Sequence, residues 1–314
     1  MTGRPCLAVT LGDPRGIGPE VVQKALADPA LHAHADFLLV GPRGLAGPGA
    51  YEPVGAWDGG ADAAAAGRVA AQAIERAVKL VLAGEAQALV TAPIDKAALH
   101  AAGYRFPGHT EMLQALSGAP EVGMLMAAEQ TRLGGPLRVL LATTHLALRE
   151  VPARLSVELF VRQARLLHRA LREWWQLERP RLALCAVNPH ASDGGLFGDE
   201  EARVLAPALR RLQDEGIAAT GPLPADTVFG RALRGEFDAV VAPYHDVGMA
   251  AFKTAAFGGG VNVTLGLPFL RTSPDHGTAL DIAGRDRADA GSMAEAVRLA
   301  IRLARRFDAP VRAD

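Results

Sequence analysis

Apolar runs of strand length recur along the chain: "CLAVTL" (6–11), "DFLLVG" (36–41), "ALVTAP" (88–93), "VGMLMAA" (122–128), "LRVLLATTH" (137–145), "RLALCAVN" (181–188), "FDAVVAPY" (237–244) and "VNVTLG" (261–266). Most are unbroken rather than alternating, the pattern of strands covered on both faces. Helical patterns lie between them. "PEVVQKALA" starts with Pro19, suited to a first helical turn, and stops at Asp28-Pro29. An Ala-rich helix is predicted over 63–83, with Asp62 as N-cap and Gly84 as C-cap. Helical spacing also marks 154–175 and 292–307, the second opening on Ser292 and Glu295, which read as a capping box. Gly44 to Gly60 is the loosest stretch, and no internal repeat is visible. Strand–helix alternation predicts an α/β fold with a mostly parallel sheet, whose ligands sit beyond the C-terminal ends of strands.

A chain of 314 residues has room for two domains or one large one. A net charge of −1 gives no reason to expect a nucleic-acid partner, and 49% hydrophobic against 21% charged residues argues against disorder. Cys6 and Cys185 lie apart in apolar runs and read as buried free thiols; the paired spacing of a cysteine zinc site is absent. No apolar segment is long enough to span a bilayer, and no apolar signal core follows Arg4. The expectation is a soluble, cytoplasmic protein.

The nine histidines divide into two sets. His32, His34, His100 and His168 fall in loops or helical patterns with no other chemistry nearby. His109, His145, His190, His245 and His276 sit at strand ends or in turns rich in Gly, Pro and Asp. His145, His190 and His245 follow predicted strands in the same way. If those strands are neighbours, the three imidazoles converge, a donor set suited to a divalent metal with an open position. Asp193 and Asp246 lie close in sequence to accept the second ring N–H of two of them. For any one histidine a turn or core hydrogen bond is sufficient. Lys253, Asn262 and Arg271, with His109 and Thr110, are the residue types that hold a phosphate or carboxylate. Singly, Lys253 and Arg271 read as surface charges. "LGDPRGIGPE" (11–20) has neither dinucleotide-loop spacing nor a P-loop lysine, and reads as a strand-to-helix turn.

"TLGDPRGIGPE", "GHTEML", "TTHLALREV", "NPHASDGGLFGDEE", "GPLPADTVF", "PYHDVGMAAFK" and "GVNVTLGLPFLRTSPDHGTALDIAG" occur in this order. Together they resemble the 4-hydroxythreonine-4-phosphate dehydrogenase family of vitamin B6 biosynthesis, from about Thr10 to Ala288. The resemblance implies a two-domain isocitrate/isopropylmalate dehydrogenase-like fold with a cleft between the domains. The expected domains are 1–107 with 255–314 on the cofactor side, and 108–254 for metal, substrate and dimerisation. It further implies a homodimer sharing a divalent metal (zinc, cobalt or magnesium) held by His145, His190 and His245 from both subunits. Substrate-binding positions fall on His109, Thr110, Lys253, Asn262 and Arg271, and the acidic residues expected near the metal on Asp226 and Asp246. "HGTALDIAG" resembles the cofactor loop of isopropylmalate dehydrogenases, which places NAD or NADP near His276, Gly277 and Asp281.

The implied reaction is oxidation of the secondary alcohol of 4-phosphooxy-L-threonine to a 3-oxo acid, which decarboxylates to 3-amino-2-oxopropyl phosphate. Asp246, Asp226 and Lys253 are the candidates for taking the proton. Two alternatives stand: a dehydrogenase of erythronate or threonate 4-phosphate, and, more distantly, a metal-dependent phosphohydrolase. The chain departs from the family pattern at Arg15 (usually Ala), at Val247 (commonly Gln) and in "NPHASD" (commonly "NPHAGE").

Overall fold

The computed structural model describes residues 3–45 and 49–305. Its strands are β1 (Cys6–Thr10), β2 (Asp36–Arg43), β3 (Ala50–Ala56), β4 (Ala88–Thr91), β5 (Gly123–Ala128), β6 (Leu137–Leu141), β7 (Leu182–Cys185), β8 (Ala219–Leu223), β9 (Ala239–Ala242), β10 (Val261–Leu265) and β11 (Leu270–Pro274). The helices are α1 (Gly18–Leu26), α2 (Pro29–His32), α3 (Ala63–Leu82), α4 (Lys96–Ala101), α5 (His109–Ser117), α6 (Val151–Arg154), α7 (Val157–Glu173), α8 (Ala206–Asp214), α9 (Ala225–Leu233), α10 (His245–Ala256) and α11 (Gly291–Ala304). Contacts divide the chain into two compact units, 1–122 with 261–314, and 123–260.

The first unit carries strands in the order β3-β2-β1-β4-β11-β10. β1 pairs in parallel with β2 (Val9 opposite Leu39) and with β4 (Leu7 opposite Ala88). β11 joins β4 in parallel, and β10 closes antiparallel to it. Leu7, Ala8, Val9, Leu89 and Val90 are wholly buried, as two-sided cover demands. On α3, Ala70, Ile74, Ala77, Val78 and Val81 recur at helical spacing and form its buried stripe. Burying Ile74 alone contributes about 2 kcal/mol. Asp62 caps α3 by accepting from the Ala64 amide, and Gly84 stands just past its end at φ +77, as expected from the sequence.

The second unit carries β5-β6-β9-β7-β8. β6, β9 and β7 are parallel neighbours, with Val240 opposite both Val139 and Ala183. Val139, Leu141, Val240 and Cys185 from these three strands pack in its core with Phe252 of α10.

Three expectations are corrected. Ser292 and Glu295 form no capping box: α11 has no side-chain cap, and Ser292 Oγ instead accepts from the Asp275 amide while Glu295 pairs with Arg298. The loosest stretch contains β3, an edge strand whose half-exposed residues give little apolar signal. Cys6 is only half-buried, because it opens β1, while Cys185 is enclosed. Residues 306–307, the end of the last predicted helix, lie outside the described residues.

Candidate functional site

β11 was missed in the sequence because its middle is polar: Arg271, Thr272 and Ser273 are all buried. Arg271 stands opposite Leu89 of β4, so Thr91, two residues on, presents its side chain to the same face. The guanidinium donates to Thr91 Oγ1 from Nη2 (2.7 Å) and Nε (3.2 Å), and to Thr264 Oγ1 from Nη1 (2.9 Å). It is 2% exposed, so the surface-charge reading fails. Burial pushes its pKa down to about 9, with Glu111 acting the other way, and it stays charged at neutral pH. Among the described residues no carboxylate bonds to it. A buried cation held only by hydroxyls is costly, and that cost is offset when an anion binds it.

Two side-chain atoms near it are unsatisfied. His109 Nε2 and Asn262 Oδ1 are both enclosed with no hydrogen-bond partner among the described residues. The sequence around His109 suggests a turn; in the fold it is the first residue of α5, with Thr110 second. Gly108 precedes them with no side chain to cap the helix, so no side-chain cap covers the first amides of α5. Burial, then the Arg271 charge, hold the imidazole well below its usual pKa. Asn262 faces Ser273 across the β10–β11 ladder. The first unit therefore brings His109, Arg271, Thr91 and Thr264 together; the two threonines carried no sequence signal beyond their strands.

In the second unit, His145 and His190 follow β6 and β7, and His245 follows β9, which lies between them. His245 follows its strand as expected, and it also begins α10. The His145 and His245 rings lie 5.6 Å apart, centroid to centroid. They line a small pocket with Thr144, Leu148, Val151, Tyr244 and Asp246. His245 Nδ1 donates to Asp246 Oδ1 at 2.8 Å, which leaves Nε2 with its lone pair for a ligand. Among the described residues no three His, Cys, Asp or Glu side chains gather as a metal cage.

His190 lies in a segment, Pro189–Gly195, of left-handed backbone: His190, Ala191, Ser192 and Asp193 have φ of 52, 54, 72 and 44°. Such conformations cost about 1–2 kcal/mol per residue and persist only where neighbours enforce them. The residues just ahead of the segment are anchored by Glu201, 5% exposed, a residue that the motif "GDEE" gives no reason to single out. Its Oε1 accepts from the Val187 and Asn188 amides at 2.8 and 2.7 Å, and its Oε2 from Asn188 Nδ2 at 2.9 Å. Burial alone would raise the Glu201 pKa, but the hydrogen bonds from Asn188 and the backbone amides together hold it below the usual range. Ser192 Oγ closes the segment onto the Gly198 carbonyl.

Asp226 is exposed in the first turn of α9. Lys253 is half-buried on α10, seven residues after Asp246 and so on the same helical face. Val247 packs against the core of the second unit, which suits an aliphatic side chain there. His276, Gly277 and Asp281 lie in the segment between β11 and α11. His276 Nδ1 donates to the Gly277 carbonyl, and Nε2 is enclosed with no partner among the described residues. Arg15 Nη2 spans Asp13 (2.7 Å) and Asp95 (2.8 Å), and Nε adds a second bond to Asp13 (3.1 Å).

This fold is shared with dehydrogenases of the isocitrate type. A solved isocitrate dehydrogenase from Methylococcus capsulatus matches with a TM-score of 0.54 over 95% of this chain and 85% of that one, at 13% identity, a likeness of fold alone. The sequence matches the model of the family described as pyridoxal phosphate biosynthetic protein PdxA over residues 46–300, and the chain belongs to that family. It is 43% identical to a 4-hydroxythreonine-4-phosphate dehydrogenase of Geobacter metallireducens, covering 96% of each. A crystal structure of a 4-hydroxythreonine-4-phosphate dehydrogenase from Klebsiella pneumoniae matches with a TM-score of 0.82 at 39% identity, covering 96% of this chain and 99% of that one. Among the described residues no helix is long and apolar enough to cross a membrane.

Proposed function

We propose that the chain oxidises 4-phosphooxy-L-threonine at its secondary alcohol, with NAD or NADP as acceptor, to a 3-oxo acid that decarboxylates to 3-amino-2-oxopropyl phosphate. The observation that carries this reading is Arg271, a buried guanidinium that among the described residues is bonded only to hydroxyls, beside His109 Nε2 and Asn262 Oδ1, which have no partner there. That group suits a dianionic phosphate. Membership of a family whose relatives bear the dehydrogenase name supports the reaction type.

Arg271, His109, Thr110 and Asn262 bind the phosphate, and Lys253 adds a further cation. This fixes the distance from the phosphate to the reacting carbon, an orientation effect. His145, His190 and His245 would hold a divalent ion such as zinc, cobalt or magnesium; the imidazole pair and the Asp246 bond that orients His245 fit that role. His276, Gly277 and Asp281 would hold the dinucleotide, and the enclosed His276 Nε2 fits a ligand hydrogen bond. A divalent ion held there would supply Lewis-acid polarisation of the substrate hydroxyl, and a bound nicotinamide would supply the hydride acceptor. Asp246, Asp226 and Lys253, on α9 and α10, are the groups to accept the hydroxyl proton.

Exposed Leu146 and Leu148 beside His145, and Leu196 and Phe197 beside His190, support a homodimer in which the three histidines come from both subunits. Both cysteines are free thiols, which supports a cytoplasmic setting.

The test is a substrate panel: the 4-phosphates of 4-hydroxythreonine, erythronate and threonate, each with NAD and NADP, followed by reduced-nicotinamide absorbance. Preferred turnover of 4-phosphooxy-L-threonine is expected. Preference for another acid phosphate would reassign the substrate, and phosphate release without dinucleotide reduction would overturn the oxidoreductase.

A further inference from the structure

The stretch "GDPRGIGPE" carries no phosphate-loop spacing, and the metal and phosphate groups do not use it. Its contacts run elsewhere. Between β11 and α11 lie residues 275–290, a long connection without strand or helix. The β1–α1 segment grips this connection at three places.

The first is a close backbone approach. The Ile17 amide donates to the Thr278 carbonyl at 2.9 Å. A Cβ at Gly16 would stand 2.8 Å from that same oxygen and 2.9 Å from Thr278 Cβ, so only glycine admits the contact. The second is Glu20, whose Oε1 accepts from the Ala288 amide at 2.7 Å. The third is Lys24, one helical turn on. Its Nζ meets Glu20 Oε1 (2.9 Å), the carbonyls of Asp286 and Ala288 (3.1 Å each) and Asp286 Oδ1 (2.9 Å). Asp286 is held in left-handed backbone at φ 55 within this grip. A lysine donating into two backbone carbonyls of an otherwise irregular segment fixes that segment's path, because each carbonyl is bound to one point charge.

His276, Gly277 and Asp281 all lie ahead of the 286–288 anchor, around the Thr278 contact. We propose that Glu20 and Lys24 are positioning residues for the dinucleotide. They clamp residues 286–288 onto α1, and so hold 276–281 in the conformation that receives the cofactor. The proposal rests on reading 276–281 as the cofactor-binding segment. It assigns to "GDPRGIGPE" the role of a backplate: Gly16 admits the segment and Glu20 fastens it.

The test uses the metal-loaded protein and compares Lys24→Ala, Glu20→Ala and Lys24→Arg, with His276→Ala as reference. Loss of charge-assisted bonds to the segment is expected to weaken NADH binding about tenfold in Lys24→Ala and Glu20→Ala, measured as Kd by titration without substrate. The KM for the phosphorylated substrate and kcat at saturating dinucleotide stay within about twofold. Lys24→Arg restores most of the affinity. Trypsin cuts after Arg285 and Arg287 faster in Lys24→Ala than in the wild type, and NADH slows the cut. Equal losses in both substrates, or unchanged Kd and cleavage in Lys24→Ala while His276→Ala weakens NADH, would overturn the clamp alone. Unchanged NADH binding in His276→Ala as well would overturn the clamp together with the cofactor reading. If Glu20→Ala does not fold, the Lys24 pair decides, since Lys24 stands at the surface end of the clamp.

Discussion

Arg271 Nη2 donates to Thr91 Oγ1 at 2.7 Å, and Nε shares that same oxygen at 3.2 Å. The threonine on β4 thus sets the plane of a guanidinium on β11. Thr91→Val keeps the volume and removes the acceptor. It is expected to raise the KM for the phosphorylated substrate roughly tenfold with kcat little changed. Steady-state kinetics at saturating dinucleotide will show it; a fall in kcat at constant KM would place Thr91 elsewhere in the chemistry.

His109 predicts a pH dependence of stability. Its folded pKa lies well below the ordinary 6.5, through burial and then the Arg271 charge. Above about pH 6.5 both folded and unfolded states hold it neutral, and its contribution is fully present. As pH falls below 6.5 the unfolded chain takes up a proton that the folded chain refuses, so stability is lost at up to about 1.4 kcal/mol per pH unit until the folded pKa is reached. Urea unfolding of wild type and His109→Gln between pH 7.5 and 5 will test this. The gap between the two must change with that slope, and a parallel pair of curves would refute it.

Asp246 accepts the Nδ1 proton of His245 while its own side chain is 86% exposed. Asp246→Asn keeps the shape and weakens the bond that fixes the tautomer. Affinity for a divalent metal is expected to drop about 10–100-fold, measured by competition with a chelator. An unchanged affinity would remove Asp246 from the metal's surroundings.

Glu201 anchors Val187 and Asn188, which lead into the left-handed segment that carries His190. Glu201→Ala leaves the Val187 and Asn188 amides without their acceptor and is expected to cost about 2–4 kcal/mol of stability. Metal affinity is expected to fall with it, because the residues leading to His190 lose their anchor. Chemical denaturation gives the first quantity and metal titration the second.

His190→Ala is expected to abolish metal-dependent turnover and to leave the circular dichroism spectrum unchanged. Near-normal activity of the variant after metal removal would make the histidine set wrong.

Much of the fold was legible because buried parallel strands leave unbroken apolar runs. The runs at 6–11, 88–93, 137–145, 181–188 and 237–244 all became strands with both faces covered. β3 was hidden by its exposure at the sheet edge, β8 by its Gly-Pro pair, and β11 by Arg271, Thr272 and Ser273, polar residues whose burial hydropathy cannot foresee. Ser292 read as a cap from local spacing, but a partner seventeen residues away in sequence, Asp275, took its hydroxyl.

By itself the sequence determined the α/β class, the strand-end histidines and the residue types suited to phosphate, since those depend on local pattern and side-chain chemistry. Only the tertiary structure decided that Arg271 is buried with no carboxylate bonded to it among the described residues, that Thr91 and Thr264 orient it, and that Glu201 anchors the approach to the His190 turn. It also decided that "GDPRGIGPE" faces residues 278–288. Each of these is a contact between residues distant in the chain, and burial and hydrogen bonding exist only once the strands have paired.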